Sequence, residues 1–106
     1  MSENRVVITG LGVVAPIGTG KDEFWQGLIS GRNGVGQVTH FDASDYRAHL
    51  AAEVKNFEPE NWIERKSAKR MDRFTQFAMA AAVMAIEDAG LDSFEFDGNR
   101  FGIHVG

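Results

Sequence analysis

The sequence contains no cysteine. That excludes a disulfide framework, and it excludes a cysteine nucleophile supplied by these residues. No apolar run approaches the roughly 20 residues needed to span a bilayer. The first residues, MSENR, carry no apolar segment of the kind found in a signal peptide. Bases are in the minority, with 11 Lys and Arg against 15 Asp and Glu and a net charge of -4. General nucleic-acid binding is therefore disfavoured, and any basic function must be local. The expectation is a cytoplasmic protein with neither a nucleic-acid nor a membrane partner. The composition that remains is ordinary and globular: 43% hydrophobic and 25% charged residues argue against disorder. A chain of 106 residues is long enough for one domain.

The stretch from Lys66 to Gly90, KSAKRMDRFTQFAMAAAVMAIEDAG, organises the rest. It opens on Lys66, Lys69, Arg70 and Arg73, with Arg65 just before. On one continuous helix these four fall at i, i+3, i+4 and i+7 and share a face. Like charges at that spacing repel, so helix stability does not account for them, whereas an acidic partner does. Phe77 to Ile86 is apolar all round, as in a helix enclosed by a larger core. Asp72 is placed to cap this helix and Gly90 to end it. Ala78, Ala80, Ala81, Ala82 and Ala85 permit close packing.

Along the chain, Arg5 to Thr9 is β-branched and predicts a buried strand. Gly10-Leu11-Gly12 and Ala15 then mimic a dinucleotide fingerprint, but Pro16 disfavours a helix opening there and the acid about 20 residues on is missing. The glycines are better explained by a strand passing close to neighbouring backbone. Gly20-Lys21 mimics a phosphate loop and fails it, having Ala15 where Gly is needed and Asp22 where Ser or Thr is needed. Thr19 to Asp22 instead predicts a helix start with Thr19 as cap. Phe24, Trp25, Leu28 and Ile29 form a core-facing stripe, and Gly31 stops the helix.

Asn33 to Pro59 predicts mostly loop, with a short strand over Leu50 to Val54. His40 and His49 are too far apart for a helical metal pair, so no metal site is expected, and both are assigned to the surface or to structure. Asp42 and Asp45 predict turn formation rather than catalysis. Glu58 to Glu64 predicts a short helical turn with Pro59 in its first position, anchored by Trp62 and Ile63. Leu91 to Asn99 predicts an acidic loop, and Arg100 to Val105 a second strand. Two strands separated by helices imply an α/β class with parallel or distant pairing, normally buried within a larger sheet. Too few elements are present to cover them, which predicts one part of a larger domain.

Three motifs in order carry a resemblance. VVITGLGVVAPIG, FWQGLISGRNGV and KRMDRFTQFAMAAAVMAIEDAGL, with the HFDASDY loop and the closing RFGIHVG, look like the N-terminal part of a bacterial beta-ketoacyl-acyl carrier protein synthase. The likeness runs over essentially the whole chain. Ala15-Pro16-Ile17-Gly18 and the HFD loop look more like the type II elongating branch than the type I branch.

The resemblance implies a thiolase-like, five-layered α/β/α/β/α fold made of two similar halves. Residues 1–106 would be the N-terminal portion of the first half, within a homodimer that uses no cofactor. It implies decarboxylative condensation of an acyl-enzyme with malonyl carrier protein, carried out by a cysteine and two histidines that lie outside these residues. His40, His49 and His104 do not match the family's catalytic histidine motifs. No catalytic residue is therefore assigned, and the 106 residues alone are expected to be inactive. It further implies that Lys66, Lys69 and Arg70 dock acyl carrier protein, an acidic partner. One more base that some members carry falls at Ala68, where this chain is neutral. The alternatives are a type I or polyketide ketosynthase and a non-catalytic carrier-binding module.

Overall fold

The computed structural model describes residues 3–93 and 95–106. Met1 and Ser2 of the leading segment, and Phe94 within the acidic stretch, lie outside the described residues. The first ordered feature is a tight hairpin. β1 (Val14–Ala15) pairs antiparallel with β2 (Gly18–Thr19), and Val14 faces Thr19. Pro16 sits in its turn, so no helix opens at the glycines before it.

α1 (Lys21–Ile29) follows at once. Its cap is Gly20, at φ 89°, and not Thr19; no side chain caps it. A backbone with φ > 0 suits glycine, and the Gly20 N–H donates to the Val13 carbonyl at 2.8 Å. Gly31, at φ 67°, lies just past the end of the helix, as its sequence position predicts.

The face that α1 buries differs from the one its apolar stripe suggests. Gly27 is buried against the hairpin, where a Cβ would lie 2.6 Å from the Ile17 carbonyl oxygen. Trp25, Leu28 and Ile29 point away and are 57%, 52% and 59% exposed. Trp25 is therefore not a core residue here. A glycine allows closer backbone approach than any apolar stripe, and it decides which face meets the hairpin.

A second hairpin joins β3 (Val35–Gln37) to β4 (Leu50–Ala52), with Gly36 opposite Ala51. β4 matches the strand expected near Leu50, whereas β3 was hidden in a glycine-rich stretch. At its far end Asp42 accepts from the Ser44 N–H at 3.0 Å, the turn-forming role expected of it. Those bonds from Ser44 hold its carboxyl below the usual range. A 3-10 turn over Pro59–Asn61 starts on Pro59 as expected.

The apolar residues that are buried are Ala43, Phe57, Ile63, Ala68 and Ala80. Phe57 is their hub. It meets Phe77 edge-on at 4.9 Å and stacks with Trp62 at 5.6 Å.

α2 (Arg65–Ala68) and α3 (Arg73–Ala89) complete the secondary structure that matters here. Asp72 does occupy the cap position of α3, but its side chain makes no capping bond. Gly90 ends the helix in the left-handed conformation, as expected. The segment through Gly10 and Gly12 lies directly on α3. A Cβ on Gly12 would fall 1.8 Å from the Ala81 carbonyl oxygen, and one on Gly10 2.3 Å from that of Ala85. This is the close backbone approach inferred for these glycines, made possible by the alanines beneath them.

Two expected strands are not formed. Residues 5–9 and 101–105 have no ladder partners among the described residues, and Arg100 belongs to a 3-10 turn, Gly98–Arg100. Val6, Ile8 and Ile103 are 91%, 82% and 85% exposed. A β-branched run becomes a strand only when its N–H and carbonyl groups pair with a neighbouring strand, and among the described residues these do not. Both sheets present are antiparallel hairpins of other residues, so the parallel or distant pairing expected of the two segments is not seen among the described residues. The opposite face of α3 is likewise open, with Met79 and Ile86 exposed. The radius of gyration, 17.5 Å, exceeds the roughly 13 Å of a compact chain of this length.

Candidate functional site

The cationic stretch does not lie on one helix. α2 ends at Ala68, residues 69–72 form an elbow, and α3 begins at Arg73. The shared face predicted for 66, 69, 70 and 73 requires continuous helix and is corrected by this break. Lys66 stands on α2, and Lys69 and Arg70 stand on the elbow. All three are exposed and, among the described residues, form no ion pair.

The two flanking bases are otherwise occupied. Arg65 Nε lies 3.5 Å from Glu60 Oε1. Arg73 donates from Nη2 to the Val54 carbonyl at 2.8 Å, and its guanidinium sits 4.9 Å from the centre of the Phe77 ring and 5.8 Å from that of Phe57. It clamps the start of α3 to the aromatic hub and does not contribute to a free cationic face.

The elbow has a buried underside. Ala68 is 4% exposed and Ile63 7%. Position 68, where the resemblance suggested a further base, therefore faces inward in this chain. The Ala68 carbonyl accepts from the Met71 N–H at 3.2 Å and from Gln76 Nε2 at 2.9 Å. The result is a projecting turn with three uncompensated positive charges above and an apolar, hydrogen-bonded floor below. Such a surface carries a local positive potential.

The histidines stay apart from the elbow. His40 Nε2 is 3.9 Å from Glu53 Oε1, and Glu53 accepts from the Thr39 hydroxyl at 2.7 Å and from its N–H at 3.0 Å. These bonds from Thr39, chiefly the hydroxyl, pull the Glu53 carboxyl below its usual range. His49 lies across the second hairpin, and His104 is exposed near the chain end. Among the described residues no three His, Cys, Asp or Glu side chains gather as metal ligands. No helix among them is long and apolar enough to cross a membrane.

One ion pair joins distant segments. Asp88 near the end of α3 accepts from Lys21 Nζ and, at 2.9 Å, from the Leu11 N–H. The hydrogen bond and charge of Asp88 raise the Lys21 ammonium above its usual value. The bonds from Lys21 and Leu11 hold the Asp88 carboxyl below its own. The clasp fixes α1, the glycine segment and α3 relative to one another.

A family model described as the N-terminal domain of beta-ketoacyl synthase matches residues 3–106. The chain belongs to the beta-ketoacyl synthase family. It is 46% identical over its whole length to 3-oxoacyl-[acyl-carrier-protein] synthase 2 of Synechocystis sp.. Identity is 47% to the protein of that name from Staphylococcus aureus strain COL and 45% to that from Coxiella burnetii. The chain spans about a quarter of each relative, 26% of its length. Among solved structures it resembles the ishigamide ketosynthase/chain length factor, with a TM-score of 0.73 and 45% identity over 79% of this chain and 21% of the other. This synthase membership implies a thiolase-like fold. The sequence had grouped Lys66, Lys69, Arg70 and Arg73 by periodicity, and the resemblance had singled out the first three. Neither had signalled the diversion of Arg73 or the Gln76 bond, because both depend on the break between α2 and α3.

Proposed function

We propose that this chain is the N-terminal part of the first half of a five-layered, thiolase-like 3-oxoacyl-acyl carrier protein synthase. It works as a homodimer in the cytoplasm and elongates fatty acyl chains. The open faces of α3 and the unpaired β-branched segments support this reading, since the remaining layers would cover them. In the reaction an acyl group passes from the carrier's thiol to an enzyme thiol. Malonyl carrier protein then loses carbon dioxide, and its C2 carbanion attacks the acyl thioester carbonyl. A carbon–carbon bond forms and the enzyme thiolate leaves. That thiol is not among these residues, which contain no cysteine.

The contribution of these 106 residues is to receive acyl carrier protein on Lys66, Lys69 and Arg70. The observation that carries this role is their exposure, without acidic partners, on a turn whose neighbouring bases are already occupied. The test supplies the full-length protein with acyl- and malonyl-loaded carrier. One carbon dioxide should appear per 3-oxoacyl product. Product formation by the 106 residues alone, or none by the full-length protein, overturns the proposal. A second reading, a polyketide ketosynthase, is kept because the structural neighbour is named a ketosynthase/chain length factor. Acceptance of a 3-oxoacyl carrier as primer separates it from a straight-chain elongase.

A further inference from the structure

We infer that Gln76 is a positioning residue for the carrier-docking turn, setting the angle at which Lys66, Lys69 and Arg70 face the carrier. The inference rests on the docking reading above and adds a residue that touches neither carrier nor substrate.

The elbow is a weak point by construction. α2 is a single turn, and beyond it only local bonds hold the elbow, from the Lys69, Arg70 and Met71 N–H groups to the Arg65, Ser67 and Ala68 carbonyls. The carbonyls at the end of a helix have no partner within it and need donors from elsewhere. The Ala68 carbonyl finds two. The Met71 N–H, at 3.2 Å, closes the turn locally. The Gln76 side-chain amide, at 2.9 Å, reaches back across eight residues from the first turn of α3, so the two docking cations of the elbow lie inside the loop it closes. The amide must present its N–H there, because its oxygen would meet the carbonyl oxygen.

The other end of the loop has a fixed reference. Arg73 holds the start of α3 to Val54 and to the Phe57–Phe77 pair. With α3 anchored, the Gln76 bond ties the end of α2 directly to it. Ala68, the acceptor, is buried, so water does not readily replace the donor. If the bond is cut, the elbow keeps its charges but can hinge. The carrier must then order it on binding, and affinity falls without any loss of contact.

The experiment uses the full-length protein in a double-mutant cycle. Gln76→Met keeps the length of the side chain and removes the donor. The variant should raise KM for acyl carrier protein about five-fold with kcat within two-fold, the range of one net hydrogen bond. Turnover of an acyl thioester offered without carrier should not change. In a Lys66→Ala, Lys69→Ala, Arg70→Ala background the same substitution should alter KM less than two-fold, because no docking charges remain to be positioned. An unchanged KM, an equal loss with the carrier-free thioester, or a five-fold effect that persists in the triple background overturns the inference while leaving docking intact. A triple variant with unaltered KM overturns the docking reading and the inference together. If Gln76→Met fails to fold, Gln76→Asn takes its place in the cycle, since it keeps the amide but is one methylene too short to reach.

Discussion

Replacing Gly12 by alanine tests how the N-terminal segment lies on α3. The new Cβ would fall 1.8 Å from the Ala81 carbonyl oxygen, 2.8 Å from the Ala81 carbonyl carbon and 2.9 Å from the Ala85 nitrogen. All three are backbone atoms in the middle of a 17-residue helix, so no rotamer change relieves the clash. To restore ordinary contact the segment must withdraw by roughly one and a half ångströms, which opens a gap along its whole contact with α3. Overpacking of a tight contact costs about 1–3 kcal/mol, and a backbone obstacle puts this case near 3 kcal/mol. Withdrawal also stretches the bond from the Leu11 N–H to Asp88. Gly12 does not have a positive φ, so the effect comes from space and not from backbone preference. The control is Gly98→Ala, where nothing lies within 4 Å of the added carbon. Urea unfolding of the full-length protein should show Gly12→Ala destabilised by about 3 kcal/mol and Gly98→Ala within about 0.5 kcal/mol of the parent. A Gly12→Ala protein as stable as the control would mean that the segment does not lie on α3 in this way.

Further outcomes follow from the same contacts. Asp88→Asn should lower stability at neutral pH and flatten its dependence on pH in acid. The folded carboxyl is held below its usual value, so its contribution is present above the ordinary carboxylate range and lost as pH falls through the folded value. A parent and variant with the same acid profile would contradict the clasp. The raised Lys21 ammonium acts in the opposite window. Its contribution is complete below the ordinary lysine value and lost as pH rises through the raised one, so Lys21→Met should remove an alkaline decline that the parent shows. Arg73→Leu removes a guanidinium over two rings and a bond to Val54. It should cost about 1–2 kcal/mol by urea unfolding, and an unchanged midpoint would show that Arg73 is not a clamp.

Local chemistry was readable in the residues, whereas the partners of each element were not. Gly90 and Gly31 mark helix ends because few other residues adopt the left-handed conformation there. Pro59 opens its turn because its fixed φ suits that position. Gly10 and Gly12 indicated a close approach, although not that α3 was what they approached. Where a reading failed, the deciding factor lay elsewhere in the chain. The apolar stripe of α1 yielded to the face carrying Gly27, which the first hairpin can approach more closely. Residues 5–9 and 101–105 have strand composition, but a strand also needs a neighbour. For the bases proposed to dock the carrier, the residue types and their clustering were legible. Their geometry was not, because periodicity treated 66 to 73 as one helix. The break at the elbow removes Arg73 from the set and brings in Gln76, a residue whose position in the sequence shows no sign of a role.

The role of the elbow is tested most directly by reversing its charge. Binding of acyl carrier protein to the full-length protein should be compared with that of a Lys69→Glu, Arg70→Glu variant at low and at physiological salt. The account predicts that the variant binds at least ten-fold more weakly at low salt, that the difference narrows as salt screens the charges, and that a carrier-free acyl thioester is turned over at the parental rate. Equal carrier affinity for parent and variant, or an equal loss with both kinds of substrate, would contradict it.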